Sequence, residues 1–114
     1  MLEIRWWGKL KEININIIKE LITSSQIIWS QHILIRMSQR GMKIEDVENA
    51  ISTGEIIEEY YNDYPHPSFL IMGMTVNNDK IHIVCGVNEY KIWMITAYYP
   101  SLEEWLEDLK TRRR

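Results

Sequence analysis

The residues of this sequence best suited to chemistry are His32, Arg36 and Arg40, which recur at every fourth position. In a helix, this spacing places the three side chains within an arc of roughly 80°. An imidazole exchanges protons near neutral pH, and a guanidinium group matches the geometry of a phosphate. The stripe therefore indicates an acid–base site for a phosphate-bearing substrate.

Two simpler explanations of this stripe remain open. A lone histidine on a helix more often packs or forms hydrogen bonds than catalyses a reaction. The two arginines are equally compatible with a solvated face, on which they would pair with Glu58, Glu59 or Asp46.

A second group of candidates lies at the end of the last predicted strand. With alternation of period two, Thr96 and Tyr98 share one face with Ile92 and Met94. A phenol held at the rim of a sheet can orient a phosphate or protonate a leaving oxygen. The alternative is that the Tyr98 ring simply covers the edge of the sheet with its hydroxyl in water.

The other two histidines are weaker candidates. His66 lies between Pro65 and Pro67 in a loop, where it can contact a ligand, and His82 lies in the middle of a predicted strand. The three histidines and Cys85 show no metal-binding spacing, so we expect neither a metal nor another cofactor. Cys85 sits in an alternating apolar segment, which predicts a buried structural thiol and suits a reducing cytoplasm.

Helical periods come first along the chain. Apolar spacing predicts helices over residues 9–22, 30–41 and 44–53, and residues 26–29 are compatible with a short strand. Ser30 is a suitable N-cap, and Gly41 is the expected left-handed residue after the second helix.

From residue 55 the apolar period changes to two. This pattern predicts strands over residues 55–61, 69–76, 81–87 and 91–99. Because the turns between the last three are too short for parallel crossovers, we expect an antiparallel meander.

A closing helix is predicted after Pro100. Ser101 and Glu104 form a Ser-x-x-Glu capping box. The helix would bury Leu102, Trp105, Leu106 and Leu109. The predicted fold is therefore α+β, with N-terminal helices on a mostly antiparallel four-stranded sheet and a helix at the C-terminus.

Length and charge narrow the class of protein. A chain of 114 residues with 46% hydrophobic residues predicts one domain, and a net charge of −3 excludes a strongly basic, nucleic-acid-coating surface. We divide it into an N-terminal helical extension (1–25), a core (26–110) and a basic tail (111–114). No secretory signal and no apolar run of ~20 residues is visible, which favours a cytoplasmic protein without membrane spans.

Several short motifs together resemble a small bacterial family that is catalogued only as a domain of unknown function. The first part of the match is Ser30-x-His32-x-x-x-Arg36-Met37-x-x-Arg40-Gly41, Asp46-Val47, Gly54-x-x-x-x-x-Tyr60 and Asp63-x-Pro65. The second part is Leu70-x-x-Gly73, His82-x-Val84 and Thr96-x-Tyr98-x-Pro100 with Trp105. The resemblance covers about residues 26–105.

This resemblance implies a function as well as a fold. Members of the family are often encoded beside zinc-finger antitoxins of the YgiT/MqsA type, and the family is similar to the RelE, MqsR and BrnT toxins. It therefore implies a RelE-like core, the toxin half of a type II toxin–antitoxin pair, and metal-independent RNA cleavage. The partner would be a protein antitoxin and the substrate RNA.

In the resulting hypothesis, the ribose 2′-hydroxyl attacks the adjacent phosphate. His32 is the general acid or base, Arg36 and Arg40 stabilise the phosphorane, and Thr96 with Tyr98 orients or protonates the substrate. Substrate contacts are assigned to Tyr60, Tyr64, His66 and His82. The alternative is a non-catalytic module that binds RNA or a zinc-finger partner, for which the acidic balance and six methionines are suited.

Overall fold

Three helices and a five-stranded mixed sheet form an α+β fold in the described part of the chain. The structure is a computed structural model that describes residues 13–24, 26–88 and 91–114. The helices are α1 (Ile15–Thr23), α2 (Gln31–Gln39) and α3 (Ile44–Thr53), and the strands are β1 (Ile27–Trp29), β2 (Glu55–Tyr60), β3 (Ser68–Met74), β4 (Lys80–Val87) and β5 (Ile92–Tyr98). The strand order across the sheet is β1-β5-β4-β3-β2.

The sheet differs from the predicted one by its first strand. Strands β2 to β5 form the expected antiparallel meander. The short strand β1 then adds to the edge of β5 in parallel, from Ile27 opposite Ile92 to Trp29 opposite Met94. The prediction of four strands is therefore wrong, and the sheet is mixed. A parallel pair needs a long connection, which here runs through two helices and the meander.

Local capping signals position α2 as predicted. The Ser30 hydroxyl accepts a hydrogen bond from the Ile33 amide at 3.2 Å, and Gly41 has a φ of 68° just after α2. The Asn14 side chain caps α1 in the same way, so this helix begins at Ile15, and the prediction that residues 13 and 14 are helical is wrong. The predicted helical residues 9–12 lie outside the described residues.

Helix α3 begins without a side-chain cap from Lys43. Instead, the buried Asp46 carboxylate accepts hydrogen bonds from the Lys43 amide at 2.9 Å and the Val76 amide at 3.2 Å. Among the apolar residues of this helix, Val47 and Ile51 are buried, whereas Ile44 is 40% exposed.

The hydrophobic core lies between the helices and one face of the sheet. Helix α3 packs on β3, α2 packs on β5, and α1 packs on α3. The strands contribute Phe69, Ile71, Ile81, Ile83, Cys85, Val87, Ile92, Met94 and Ala97 to this core. Burial raises the pKa of the Cys85 thiol to about 12, so this thiol is structural, as predicted.

The predicted closing helix is wrong. Residues 101–114 form an irregular segment with turns, which we call the C-terminal strap. The Asp108 carboxylate accepts hydrogen bonds from the Lys110 and Thr111 amides, and Leu109 has a φ of 58°. These local bonds compete with helical ones, and Trp105 is the residue that the strap buries. Within the described ranges, none of the helices is long and apolar enough to cross a membrane.

Candidate functional site

The three polar residues of α2 differ in their contacts. Arg40 has a hydrogen-bonding partner, whereas His32 and Arg36 have none among the described residues. The Arg40 guanidinium donates a hydrogen bond to the Ala97 carbonyl at 2.5 Å. Because β1 pairs with β5 only as far as Met94, this carbonyl lies on a stretch of β5 edge that β1 does not cover. Arg40 therefore has a structural role as a cap of the sheet edge.

His32 and Arg36, in contrast, are available to bind a ligand. Both side chains are exposed, one helical turn apart, on the helix that follows β1. Among the described residues, neither side chain has a hydrogen-bonding or ion-pairing partner. The two together offer a proton acceptor and a free guanidinium to a ligand.

Thr96 and Tyr98 lie on the sheet face that turns away from the helices. The register between β4 and β5 shifts where Val84 pairs with Thr96 and Cys85 pairs with Met94, so that Ile95 is an extra residue. A bulge of this kind reverses the alternation of the residues that follow it. The prediction that Thr96 and Tyr98 share a face with Ile92 and Met94 is therefore wrong.

The face of the sheet opposite the helices, the second sheet face, brings together most of the other predicted site residues. Strand register places on it Glu55, Glu58, Tyr60, Ser68, Leu70, Met72, His82, Val84, Gly86, Trp93, Thr96 and Tyr98. His66 joins this face through its ring, which stacks on Trp93 with centroids 4.6 Å apart. Tyr64 is 95% exposed in the neighbouring loop. The second sheet face thus carries Tyr60, His66, His82, Thr96 and Tyr98, and the helix layer carries His32, Arg36 and Arg40.

His82 is fully buried, and both of its ring nitrogens are satisfied. The Leu109 carbonyl, 2.6 Å away, can only accept a hydrogen bond, so Nε2 carries the proton. In the neutral ring Nδ1 is then the acceptor for the Tyr98 hydroxyl at 3.1 Å. Burial lowers the pKa of His82 and raises the pKa of Tyr98. This arrangement holds a neutral histidine in a structural role.

Three residues that the site hypothesis leaves out surround this pair. The Arg112 guanidinium makes two hydrogen bonds to the Glu58 carboxylate, at 2.7 and 3.0 Å, and lies 4.6 Å from the centroid of the Trp105 ring. Trp105 meets His82 edge to face. Arg112 holds the pKa of Glu58 below its usual value, and the Tyr60 hydroxyl donates a further hydrogen bond to the same carboxylate.

These contacts settle the partner of Glu58. Glu58 pairs with Arg112, and Asp46 binds backbone amides, so the pairing of these acids with Arg36 or Arg40 is wrong. The only feature of the sequence that could have drawn attention to Arg112 is the run of arginines at residues 112–114. Across the described ranges, no group of three His, Cys, Asp or Glu side chains is placed to hold a metal ion.

His82 predicts a pH dependence of stability. Its pKa in the folded chain lies below the ordinary 6.5, so the unfolded chain takes up a proton that the folded chain resists. We expect the free energy of unfolding to decrease as the pH falls through 6.5 towards the lowered pKa, by at most about 1.4 kcal/mol per pH unit.

Denaturant titrations of the parent chain and of His82→Gln between neutral and mildly acidic pH measure this effect. His32 and His66 are present in both proteins, so their contributions cancel. The slope of the unfolding free energy against pH should be smaller in His82→Gln, and equal slopes would contradict the assignment.

Comparison with known proteins gives one match. A family model described as a domain of unknown function, DUF4258, matches residues 29–99. No curated protein and no solved structure matches the chain. The match includes α2, α3 and all of the sheet except most of β1, and it ends before the C-terminal strap.

Proposed function

The chain belongs to the DUF4258 family of domains of unknown function, and we propose that it is the toxin of a type II toxin–antitoxin pair that cleaves RNA without a metal. The observation that supports this most is the open pair His32 and Arg36, which lacks partners among the described residues. A buried histidine with both nitrogens bonded cannot meet a substrate, and this removes His82 from the reaction. Helices packed on one side of a sheet are compatible with the RelE-like core that the resemblance implies.

The proposed reaction uses the two open side chains in different roles. The His32 imidazole takes the proton of a ribose 2′-hydroxyl, whose oxygen then forms a bond to the adjacent phosphorus. The Arg36 guanidinium stabilises the negative charge that develops on the phosphorane oxygens. The bond from phosphorus to the 5′-oxygen breaks, and this oxygen takes a proton from water. The products are a 2′,3′-cyclic phosphate and a 5′-hydroxyl.

This scheme revises the roles of the other candidates. The Tyr98 hydroxyl already donates to His82, and Thr96 shares the second sheet face with it, so neither is assigned a catalytic step. Arg40 holds the β5 edge and supports the helix that carries His32. Tyr64, which is 95% exposed in its loop, remains a proposed contact for an RNA base, because exposed aromatic rings stack on unpaired bases. His66 is half-buried and stacks on Trp93, on the sheet face opposite His32, so it is no longer assigned a substrate contact.

Cleavage of RNA in the presence of a chelator tests the proposal. We expect His32→Ala to reduce the rate by about 10²- to 10⁴-fold, the range for loss of a general acid or base. Because His32 is exposed, the substitution should leave the unfolding free energy within about 0.5 kcal/mol. Gln31→Ala, an exposed neighbour on the same helix, is the matched control and should cleave like the parent chain.

The end groups of the RNA make this test specific. A cyclic phosphate end supports attack by the 2′-hydroxyl, and unchanged cleavage by His32→Ala would overturn the role of His32. Expression in a bacterial host with and without the neighbouring gene tests the toxin assignment separately. Growth arrest that the neighbour relieves supports it, and normal growth contradicts it.

A groove between α2 and α3 favours a second function, that of a non-catalytic module that binds a protein. The groove has a volume of about 270 Å³ and is lined by Leu34, Met37, Ser38, Gly41, Met42, Lys43 and Ile44. Two of these lining residues, Leu34 and Ile44, are exposed apolar side chains. If the parent chain binds the product of the neighbouring gene but cleaves no RNA, this second function replaces the first.

A further inference from the structure

The C-terminal strap crosses the second sheet face and is held there by polar side-chain contacts. Lys110 Nζ lies 3.0 Å from Glu55, and Arg112 binds Glu58 through two hydrogen bonds. The Leu109 carbonyl accepts the hydrogen bond of His82 Nε2. Trp105 is the buried anchor among these contacts.

The backbone of the strap is bonded to itself. The Leu106 amide donates to the Thr111 carbonyl at 2.8 Å, and the Arg113 amide donates to the Glu104 carbonyl at 2.9 Å. Among the described residues, no backbone-to-backbone hydrogen bond joins residues 101–114 to a strand. The strap can therefore leave the sheet without breaking its own backbone pairing or that of the sheet.

The ion pairs of the strap are the weak point of its attachment. The side chains of Arg112 and Glu58 are 52% and 23% exposed. Those of Lys110 and Glu55 are 41% and 55% exposed. Exposed ion pairs contribute little to stability and are screened by salt. Segments held in this way open at a lower free energy than the whole domain.

The residues below the strap differ from those of an ordinary apolar core. Lifting the strap would bring the buried imidazole of His82 to solvent and would uncover the rest of the half-buried Tyr98 phenol and Glu58 carboxylate. All three groups lie within the family match, whereas the strap follows it. The covered surface is thus rich in groups that exchange protons.

We propose that the C-terminal strap is a gate over the second sheet face. The strap opens as a unit when the ion pair between Arg112 and Glu58, which we call the latch, is broken. In the closed form the strap withholds His82 from solvent and leaves Tyr98 and Glu58 half-buried. In the open form His82 becomes accessible, and Tyr98 and Glu58 become fully exposed beside it, while the helices and the sheet stay folded. The proposed opening does not depend on the proposed RNA cleavage, because His32 lies on α2, on the opposite side of the sheet from the strap.

Chemical modification of histidine rings by diethyl pyrocarbonate, read by mass spectrometry, tests the gate in the full chain. We expect His82 to react slowly in the parent chain and roughly two- to fivefold faster in Arg112→Gln, the factor for loss of an exposed ion pair. Exposed His32 is the internal reference and should react equally in both. Arg114→Gln removes the same charge two residues away, without releasing the latch, and should behave like the parent chain.

Hydrogen exchange of the Ile71 and Ile83 amides, measured on the same proteins, separates gate opening from global unfolding. The proposal requires that His82 becomes reactive at an opening free energy lower than that of these core amides. High salt should accelerate the modification of His82 more in the parent chain than in Arg112→Gln, which keeps only the Lys110–Glu55 ion pair. If the opening free energy that exposes His82 equals that of the core amides, or if Arg112→Gln and Arg114→Gln react alike, the strap is not a gate.

Discussion

Replacing Gly73 with alanine should strongly destabilise the folded protein. A Cβ atom at Gly73 would lie 1.8 Å from the carbonyl oxygen of Ala50 and 2.5 Å from its carbonyl carbon, so the collision is with the backbone of α3. Rotation of a side chain cannot relieve it. Helix α3 would have to move off β3, which would open the core around Val47 and Ile51. We expect a loss of at least about 3 kcal/mol, a large part of the stability of an ordinary domain.

Gly86 offers a matched control in the adjacent strand. It is also buried, yet a Cβ there would approach nothing more closely than 3.7 Å, the distance to Ile95 Cδ1. Gly86→Ala should therefore be tolerated, with a gain of up to about 1 kcal/mol from the reduced entropy of the unfolded chain. Thermal unfolding of both variants, followed by circular dichroism, measures the difference. Equal midpoints would show that α3 does not lie against β3 at Gly73.

The parts of the fold that could be predicted depend on short-range chemistry. Ser30 caps α2 through an amide three residues away, and Gly41 supplies the positive φ that ends it. The meander follows from period-two alternation with short turns, which leave little choice of pairing. In such stretches the cause of the structure lies within a few residues of its effect, so the sequence pattern alone is sufficient.

The parts that were missed depend on contacts between distant segments. The parallel pairing of β1 with β5 joins Ile27 to Ile92, and no local pattern encodes it. The extra residue at Ile95 reverses the facing of Thr96 and Tyr98 without any glycine or proline to mark it. One such bulge moved two predicted site residues to the opposite side of the sheet from His32.

The same contrast between short-range interactions and contacts of distant segments applies to the candidate site. The spacing of His32 and Arg36 was sufficient to place them on one face of a helix, because α2 is regular. The sequence could not show that His32 is exposed whereas His82 is buried. The ring nitrogens of His82 are bonded to the Leu109 carbonyl and the Tyr98 hydroxyl, which come from distant segments of the chain. The pairing of Glu58 with Arg112 spans 54 positions of the chain. Only the folded structure separates the histidine available for chemistry from the one that anchors the strap.

Replacing Trp105 with alanine should be the most damaging change in the C-terminal strap. Trp105 is 1% exposed, between the edge of His82 and the guanidinium of Arg112. Removing a buried indole costs about 3–5 kcal/mol of unfolding free energy, because it leaves a cavity that the neighbours only partly fill. The same change should admit water to His82, so the pH dependence of stability that its lowered pKa causes should weaken as well.

Two leucines of the strap distinguish the observed irregular segment from the helix that the sequence pattern predicts. A helix over this segment would bury Leu102 and Leu106 together with Trp105, whereas these leucines are 56% and 39% exposed. We therefore expect Leu102→Ala and Leu106→Ala to change the unfolding free energy by no more than about 0.5 kcal/mol in denaturant titrations. A loss in either variant comparable with that of Trp105→Ala would mean that the segment is helical. The strap would then lack the self-contained turn that presents the Leu109 carbonyl to His82, and the basis for its opening as a gate would be removed.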